Sequence, residues 1–407
     1  MERSSIANNL GSGFATSMVP LLLNPLLPHL EQVSAPFAAM FNLCGTEKGS
    51  DDLHMLAFEV CADGQRIHIP YRAVLEQFVT SVGGIIDGAG VDLPVLAQEV
   101  QSWDIPAIPN SISAALEPLF ALLPREQLQP FEHWWVDHPL HTILMLNLTS
   151  VALVVESSAA FPERIRDLVL ETLRQRYSGV QEQLAHPTMP IEQALHVGAD
   201  TILVKHVFAV MLGCILLAQP QQYPAVERHW ETLLRAMHSG SGLIRLANDL
   251  GALANATTDV EQILRSVQPD YSALFPYDVF AALRQRFRES DDSAAELVFD
   301  RLLRDAEGRE YNTVLCASTS KWMAAAPTWP VFWQNLEHAQ RIWRRWSEEF
   351  EAALQSFSAD CPEIAYVMRA FVGYNDQLYQ LGGDYDDVRQ TSHGALAAMQ
   401  QAFTAAH

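Results

Sequence analysis

The chain has 407 residues, 49% of them hydrophobic, and a formal net charge of −22. That is enough apolar material to bury a sizeable core. A surface this acidic repels phosphate backbones, which excludes nucleic acid as a partner and disfavours docking on anionic membrane. Ala, Leu, Gln, Glu and Arg dominate, and Val, Ile and Thr form no alternating runs, so helices rather than a sheet are expected. Five widely spaced cysteines, Cys44, Cys61, Cys214, Cys316 and Cys361, contain no CxxC pair. They point to reduced thiols in a cytoplasmic protein without a zinc site.

In chain order, residues 1–55 read as an irregular lead-in. The apolar run Met18–Leu30 is cut by Pro20, Pro25 and Pro28 and does not make a signal peptide. Residues 56–407 then read as one all-α domain. Tyr71–Ile86 is an apolar helix ended by the Gly88–Gly90 region. Pro106 and Pro109 precede a helix over Ile112–Leu123. In the His-rich stretch Glu132–His141, Pro139 breaks the helix, and the ligand spacing is poor for a metal. Thr142–Val155 is apolar but too short to span a bilayer. Arg164–Leu184 is amphipathic, with Arg, Glu and Gln on one side.

His186, Pro187 and Pro190 break the chain before a long apolar helix, Ile191–Leu217, with Lys205 and His206 in it. The two charges favour a buried helix over a membrane span. Pro224–Ala256 is another helix. Around residues 265–330 the pattern loosens into loops flanking an inserted helix, Ala281–Arg304. Helical spacing resumes over Val331–Phe350, Glu363–Tyr379 and Asp387–Ala405.

The most informative segment is Ser241-Gly-Leu-Ile-Arg-Leu-Ala-Asn-Asp-Leu250. Arg245 stands three residues before Asn248 and four before Asp249, so the three share a helix face. A guanidinium suits diphosphate, and the Asn/Asp pair offers oxygens to Mg²⁺. Arg245 paired to an acidic neighbour, and Asn248–Asp249 capping the helix before Gly251, are the plainer readings of the same residues. Asp87, likewise, reads as a helix-end residue before Gly88, and Lys205 as a paired core lysine.

This segment resembles the second metal motif of the class I terpene synthases, above all the α domain of the plant-type enzymes. Three further stretches fit that family in order. Val100-Gln-Ser-Trp-Asp-Ile105 resembles the segment after the first metal motif. Gln183–Gly198 resembles the Pro-Thr-x-x-Glu region that leads into a helix broken beside the diphosphate. Tyr374-Asn-Asp-Gln-Leu-Tyr379 through Asp384 resembles the C-terminal active-site lid. The resemblance covers roughly residues 60–400 and implies a helical bundle around a central apolar cavity.

The resemblance implies an allylic prenyl diphosphate substrate, Mg²⁺ as cofactor, and a hydrocarbon or alcohol product. It gives Arg245, Tyr379 and Asp384 catalytic roles, Asn248, Asp249 and Asp87 metal-binding roles, and places Phe78, Thr201, Lys205, Phe371 and Tyr374 along the substrate pocket. A homodimer is compatible with it. Two departures go with it. The family's second motif continues with Ser or Thr and then Glu, where this chain has Ala252 and Ala256. Its first motif, Asp-Asp-x-x-Asp, falls without gaps on Ser81-Val-Gly-Gly-Ile85, which has no carboxylate, and with a two-residue gap on Gly83-Gly-Ile-Ile-Asp87, which keeps one. Asn255, Asp259 and Glu261 are candidate replacements.

Two other assignments stay open. A binding protein of the same fold that no longer turns over its ligand has these alanines and glycines. A helical metal oxidase would draw on Glu156, His206 and the 132–141 cluster. The letters Asp384-Tyr-Asp-Asp387 match the acid motif of class II cyclases, but their place near the C-terminus fits the lid better.

Overall fold

The computed structural model describes residues 59–62, 65–68, 72–88, 92–104, 139–186, 189–255, 311–314, 317–318 and 329–381. These residues are mostly helical. The lead-in at 1–55, the helices expected over Ile112–Leu123, Ala281–Arg304 and Asp387–Ala405, and Asp384 lie outside the described residues. Two short antiparallel ladders, unforeseen in the helical pattern, accompany the helices. One pairs β1 (Glu59–Ala62) with β2 (Gln65–His68); the other pairs β3 (Tyr311–Asn312) with β4 (Ala317–Ser318).

The chain forms two compact units. Residues 1–174 and 210–218 make the first, and residues 175–209 and 219–407 the second. The first contains α1 (Arg72–Asp87), α2 (Leu93–Gln101) and α3 (Pro139–Ser158). Asp92 caps α2, its carboxylate accepting from the Val95 N–H at 3.2 Å, and Pro94 sits in the first turn, where the missing N–H costs nothing. The described part of α3 begins at Pro139. The helix α3 packs on α1 and α2. Ser81 on α1 donates to Glu99 of α2 at 3.0 Å, and the His141 ring lies 3.1 Å from the Trp103 carbonyl. Phe78 is buried in this unit.

Helix α4 (Glu163–Ala185) carries its apolar positions at four-residue spacing, Ile165, Val169 and Leu173, as a helix with one buried face requires. The long helix expected over Ile191–Leu217 is two helices. The first, α5, spans Ile191–Thr201; the second, α6, spans Val204–Ala218. Between them Leu203 has φ 64°, a left-handed backbone that a leucine adopts at a cost of about 1–3 kcal/mol unless its surroundings hold it there. The composite stretch Ile191–Ala218 is apolar and long enough for a membrane span, but 83% of its most apolar window is buried inside the protein and the helix is interrupted. A broken core helix accounts for it.

The second unit is built around α8 (Trp230–Leu250), which follows the short α7 (Tyr223–Arg228). Helices α9 (Trp329–Phe357), α10 (Pro362–Leu381) and α5 pack against α8. Small residues make this possible. Trp346 of α9 lies over Gly242, where a Cβ would collide with its ring, and the Phe350 ring stands 3.0 Å from the Cβ position of Gly240. Each glycine costs a helix interior about 1 kcal/mol relative to alanine. Close packing of large aromatic faces offsets that. The expected helix over Pro224–Ala256 bends at His229 and ends at Leu250, where Gly251 turns the chain with φ 53° into a 3-10 turn, Gly251–Asn255.

Candidate functional site

The helix break and the polar end of α8 lie together in the second unit. At the break, the carbonyl of Thr201 accepts from the buried guanidinium of Arg176 on α4, and the Thr201 hydroxyl donates to the Gly198 carbonyl at 3.1 Å. A Cβ on Gly179 would meet the Thr201 methyl at 2.9 Å, so α4 and α5 cross at close range. Lys205, in the first turn of α6, reaches back across the break to Asp200. Helix α8 is pinned to α5 by Ser241, whose hydroxyl donates to the Ala199 carbonyl at 2.6 Å.

One turn further along α8, Arg245 and Asp249 form a buried two-pronged ion pair. Arg245 Nε donates to Asp249 Oδ2 at 3.1 Å, and Nη2 lies 2.9 Å from Oδ1. The pair is 7% and 0% exposed, so the face that carries it points into the protein. Its surroundings are protein as well. The Thr313 N–H donates to Asp249 Oδ2 at 2.9 Å, and the Thr313 hydroxyl donates to the same oxygen. Asn312 donates to the Asp249 carbonyl at 3.1 Å, Val314 N–H to Asn312 Oδ1 at 3.0 Å, and Asn335 of α9 to the Val314 carbonyl at 2.8 Å. Gly198 completes the contact: a Cβ there would stand 2.6 Å from the Thr313 methyl and 3.2 Å from Arg245 Cγ. Burying this much charge requires pairing and hydrogen bonds of this kind.

A second ionisable group borders the break. The rings of His238 on α8 and His196 on α5 meet at a tilt of 48°, centroids 5.3 Å apart, and His238 meets Trp346 edge-on at 5.8 Å. Burial, reinforced by Lys205, His196 and Arg345 and opposed by Asp200, pulls the His238 imidazole down to about 4. It is therefore neutral near pH 7.

The expected site residues distribute as follows. Arg245, Asn248, Asp249, Thr201 and Lys205 belong to the second unit, around the broken helix and α8. Phe371 is in the same unit, its ring packed edge-on against Phe208 at 5.5 Å as part of the core. Asp87 and Phe78 belong to the first unit, and there the Asp87 carboxylate, at the end of α1, accepts from Arg174 at 2.7 Å in an exposed pair. Tyr374 and Tyr379 lie within α10, and Asp384 lies outside the described residues. Residues the sequence pattern did not single out, Thr313, Asn312, Asn335 and Arg176, hold the site. Their positions in the β3 strand and the turn after it, and on other helices, carried no local signal.

Magnesium is the cofactor the resemblance implies. The donor set of α8 does not fit a magnesium cluster. Asp249 Oδ2 already takes three protein donors and Oδ1 lies 2.9 Å from the Arg245 guanidinium, and positions 252 and 256, which should add ligands, are alanine. Among the described residues no group of three or more His, Cys, Asp or Glu is arranged to hold a metal ion.

No protein-family model, no curated protein and no solved structure matches this chain.

Proposed function

We propose that this chain is a class I terpene-synthase-like protein, a helical bundle around an apolar cavity, that handles an allylic prenyl diphosphate of diterpene length in the cytoplasm. One observation carries the reading: a buried, broken apolar helix lies beside a helix bearing Arg245 and Asn248–Asp249. Lys205 at the break and Arg245 on α8 would take up diphosphate charge. The apolar interior would hold the isoprenoid chain away from water, and loss of diphosphate would leave an allylic cation that deprotonation or water capture quenches. Supplying purified protein with Mg²⁺ and geranylgeranyl, farnesyl or copalyl-type diphosphate tests the synthase activity. A hydrocarbon or alcohol product supports it, and intact, folded protein that makes no product from any of them sinks it.

The engagement of Asp249 by Arg245 and Thr313 favours a second reading. In it the protein binds the diphosphate without ionising it. Calorimetry with and without Mg²⁺ separates the two: tight binding without turnover, unaffected by Mg²⁺, selects the binding protein.

A further inference from the structure

Helices α8, α9 and α10 pack closely where Gly240 and Gly242 admit aromatic rings, but they do not close everywhere. Among the described residues they leave a recess of about 190 Å³, open on one side. Its inner wall is apolar and buried: Leu243 and Ile244 of α8, Trp343 and Phe350 of α9, and Val372 of α10. Arg245 and Asp249 do not line it. An apolar cavity of about 150 Å³ already admits a benzene ring, so this one has room for a ring-sized body.

Gly373 helps to keep the recess open. It lies inside α10 with an ordinary helical backbone, and among the described residues a Cβ there would meet nothing within 4 Å. Gly240 and Gly242 differ, because at those positions a ring already stands where the side chain would go. A glycine weakens a helix interior relative to alanine, and at 373 no described packing contact offsets that.

The outer end is charged. Arg369 of α10 is engaged by Glu351 of α9: Nε donates to both carboxylate oxygens at 3.2 Å, and Nη2 donates to one of them at 2.9 Å. The two side chains are 40% and 47% exposed, so a ligand can reach them. Asp376 lines the same recess. Two carboxylates and one guanidinium leave a net negative charge there, on a chain whose own net charge is −22. An incoming anion has to displace Glu351 from Arg369 and meets repulsion from the rest. A cation meets two carboxylates and displaces nothing. Trp343 and Phe350 bring aromatic rings, which also attract ammonium groups.

We propose that this recess is a binding site for a compact organic cation, a ring-sized apolar body carrying one ammonium group. The apolar part sits against Leu243, Ile244 and Val372, and the ammonium lies toward Glu351 and Asp376. The site is separate from the Arg245 face and does not rest on the diphosphate reading.

Calorimetry of the full chain with three probes of one size, benzylammonium, benzyl alcohol and benzoate, is the test. Benzylammonium is expected to bind at least about tenfold tighter than the alcohol, and benzoate weakest. Gly373→Leu fills the recess and is expected to weaken benzylammonium at least about tenfold without lowering the melting temperature. Glu351→Gln is expected to weaken benzylammonium several-fold, leave the alcohol unchanged, and strengthen benzoate by releasing Arg369. The proposal is overturned if the wild-type protein binds none of the three, or if alcohol or benzoate binds as tightly as the amine. It is equally overturned if folded Gly373→Leu binds the amine as the wild type does, or if Glu351→Gln leaves the order of the probes and their affinities unchanged. Should Gly373→Leu fail to fold, the wild-type order and Glu351→Gln decide.

Discussion

Two carboxylate–guanidinium pairs in this molecule differ in almost everything but their chemistry. Arg174 and Asp87 meet at 2.7 Å on the first unit, with side chains 42% and 71% exposed. Arg245 and Asp249 meet at 2.9 Å in the second unit, at 9% and 0%. Water screens the first pair and competes for both partners, so it contributes little. The second has no water to fall back on, and removing either partner strands a buried charge. Proximity alone does not distinguish a surface tie from a structural keystone. Burial and the number of further donors do, and Asp249 has Thr313 where Asp87 has open solvent.

The largest expected effect breaks the buried pair. Asp249→Ala should lower unfolding stability by roughly 3–5 kcal/mol, or prevent folding, in denaturant melts. A loss under about 1 kcal/mol would show that the buried pair behaves like the exposed one. Next comes the acid limb set by His238. Its imidazole is pulled down to about 4 in the folded protein, against 6.5 for the free group, so the unfolded chain binds the proton first as pH falls. Stability should therefore be fully present above pH 6.5 and decline as pH drops toward 4, by on the order of 2–3 kcal/mol. His238→Asn should flatten that limb in pH-dependent melts, and a limb unchanged in the variant would place its origin elsewhere.

A smaller loss, about 1–2 kcal/mol, is expected for Thr313→Val, which keeps the shape over Gly198 but takes one donor from Asp249. The smallest belongs to the surface: Asp87→Ala should change stability by no more than about 1 kcal/mol, with the difference vanishing in high salt. If Asp87→Ala costs as much as Asp249→Ala, the contrast between the two pairs fails.

Much of the helical frame was legible because periodicity is a local signal. The helix read over Tyr71–Ile86 runs Arg72–Asp87, and that read over Arg164–Leu184 runs Glu163–Ala185. The helix read over Glu363–Tyr379 runs Pro362–Leu381. The i, i+4 relation of Arg245 and Asp249 was legible for the same reason, as was the pairing of Lys205 as the plainer of its two readings. The start of α9 was not. Trp329–Pro330 looked like loop, yet both lie within α9. The break at Ile202–Leu203 left no mark either, because no glycine or proline announces it and the left-handed residue is a leucine.

Thr313 could not be found from sequence. It lies 64 residues beyond Asp249 in a stretch read as loop, and its importance comes from a contact that no local pattern encodes. The network around Asp249 is tertiary in origin; of the mismatch with a magnesium cluster, the alanines at 252 and 256 were legible, and the engagement of the Asp249 oxygens by protein donors was not.

The measurement that bears most directly on the central claim compares two ligands of equal chain length. Titration calorimetry of the full chain with geranylgeranyl diphosphate and with geranylgeraniol isolates what the charged head contributes. If the Arg245 face receives a diphosphate, the diphosphate should bind at least about tenfold tighter than the alcohol, a difference of about 1.4 kcal/mol or more. Equal affinities, or no binding of either, would contradict the assignment.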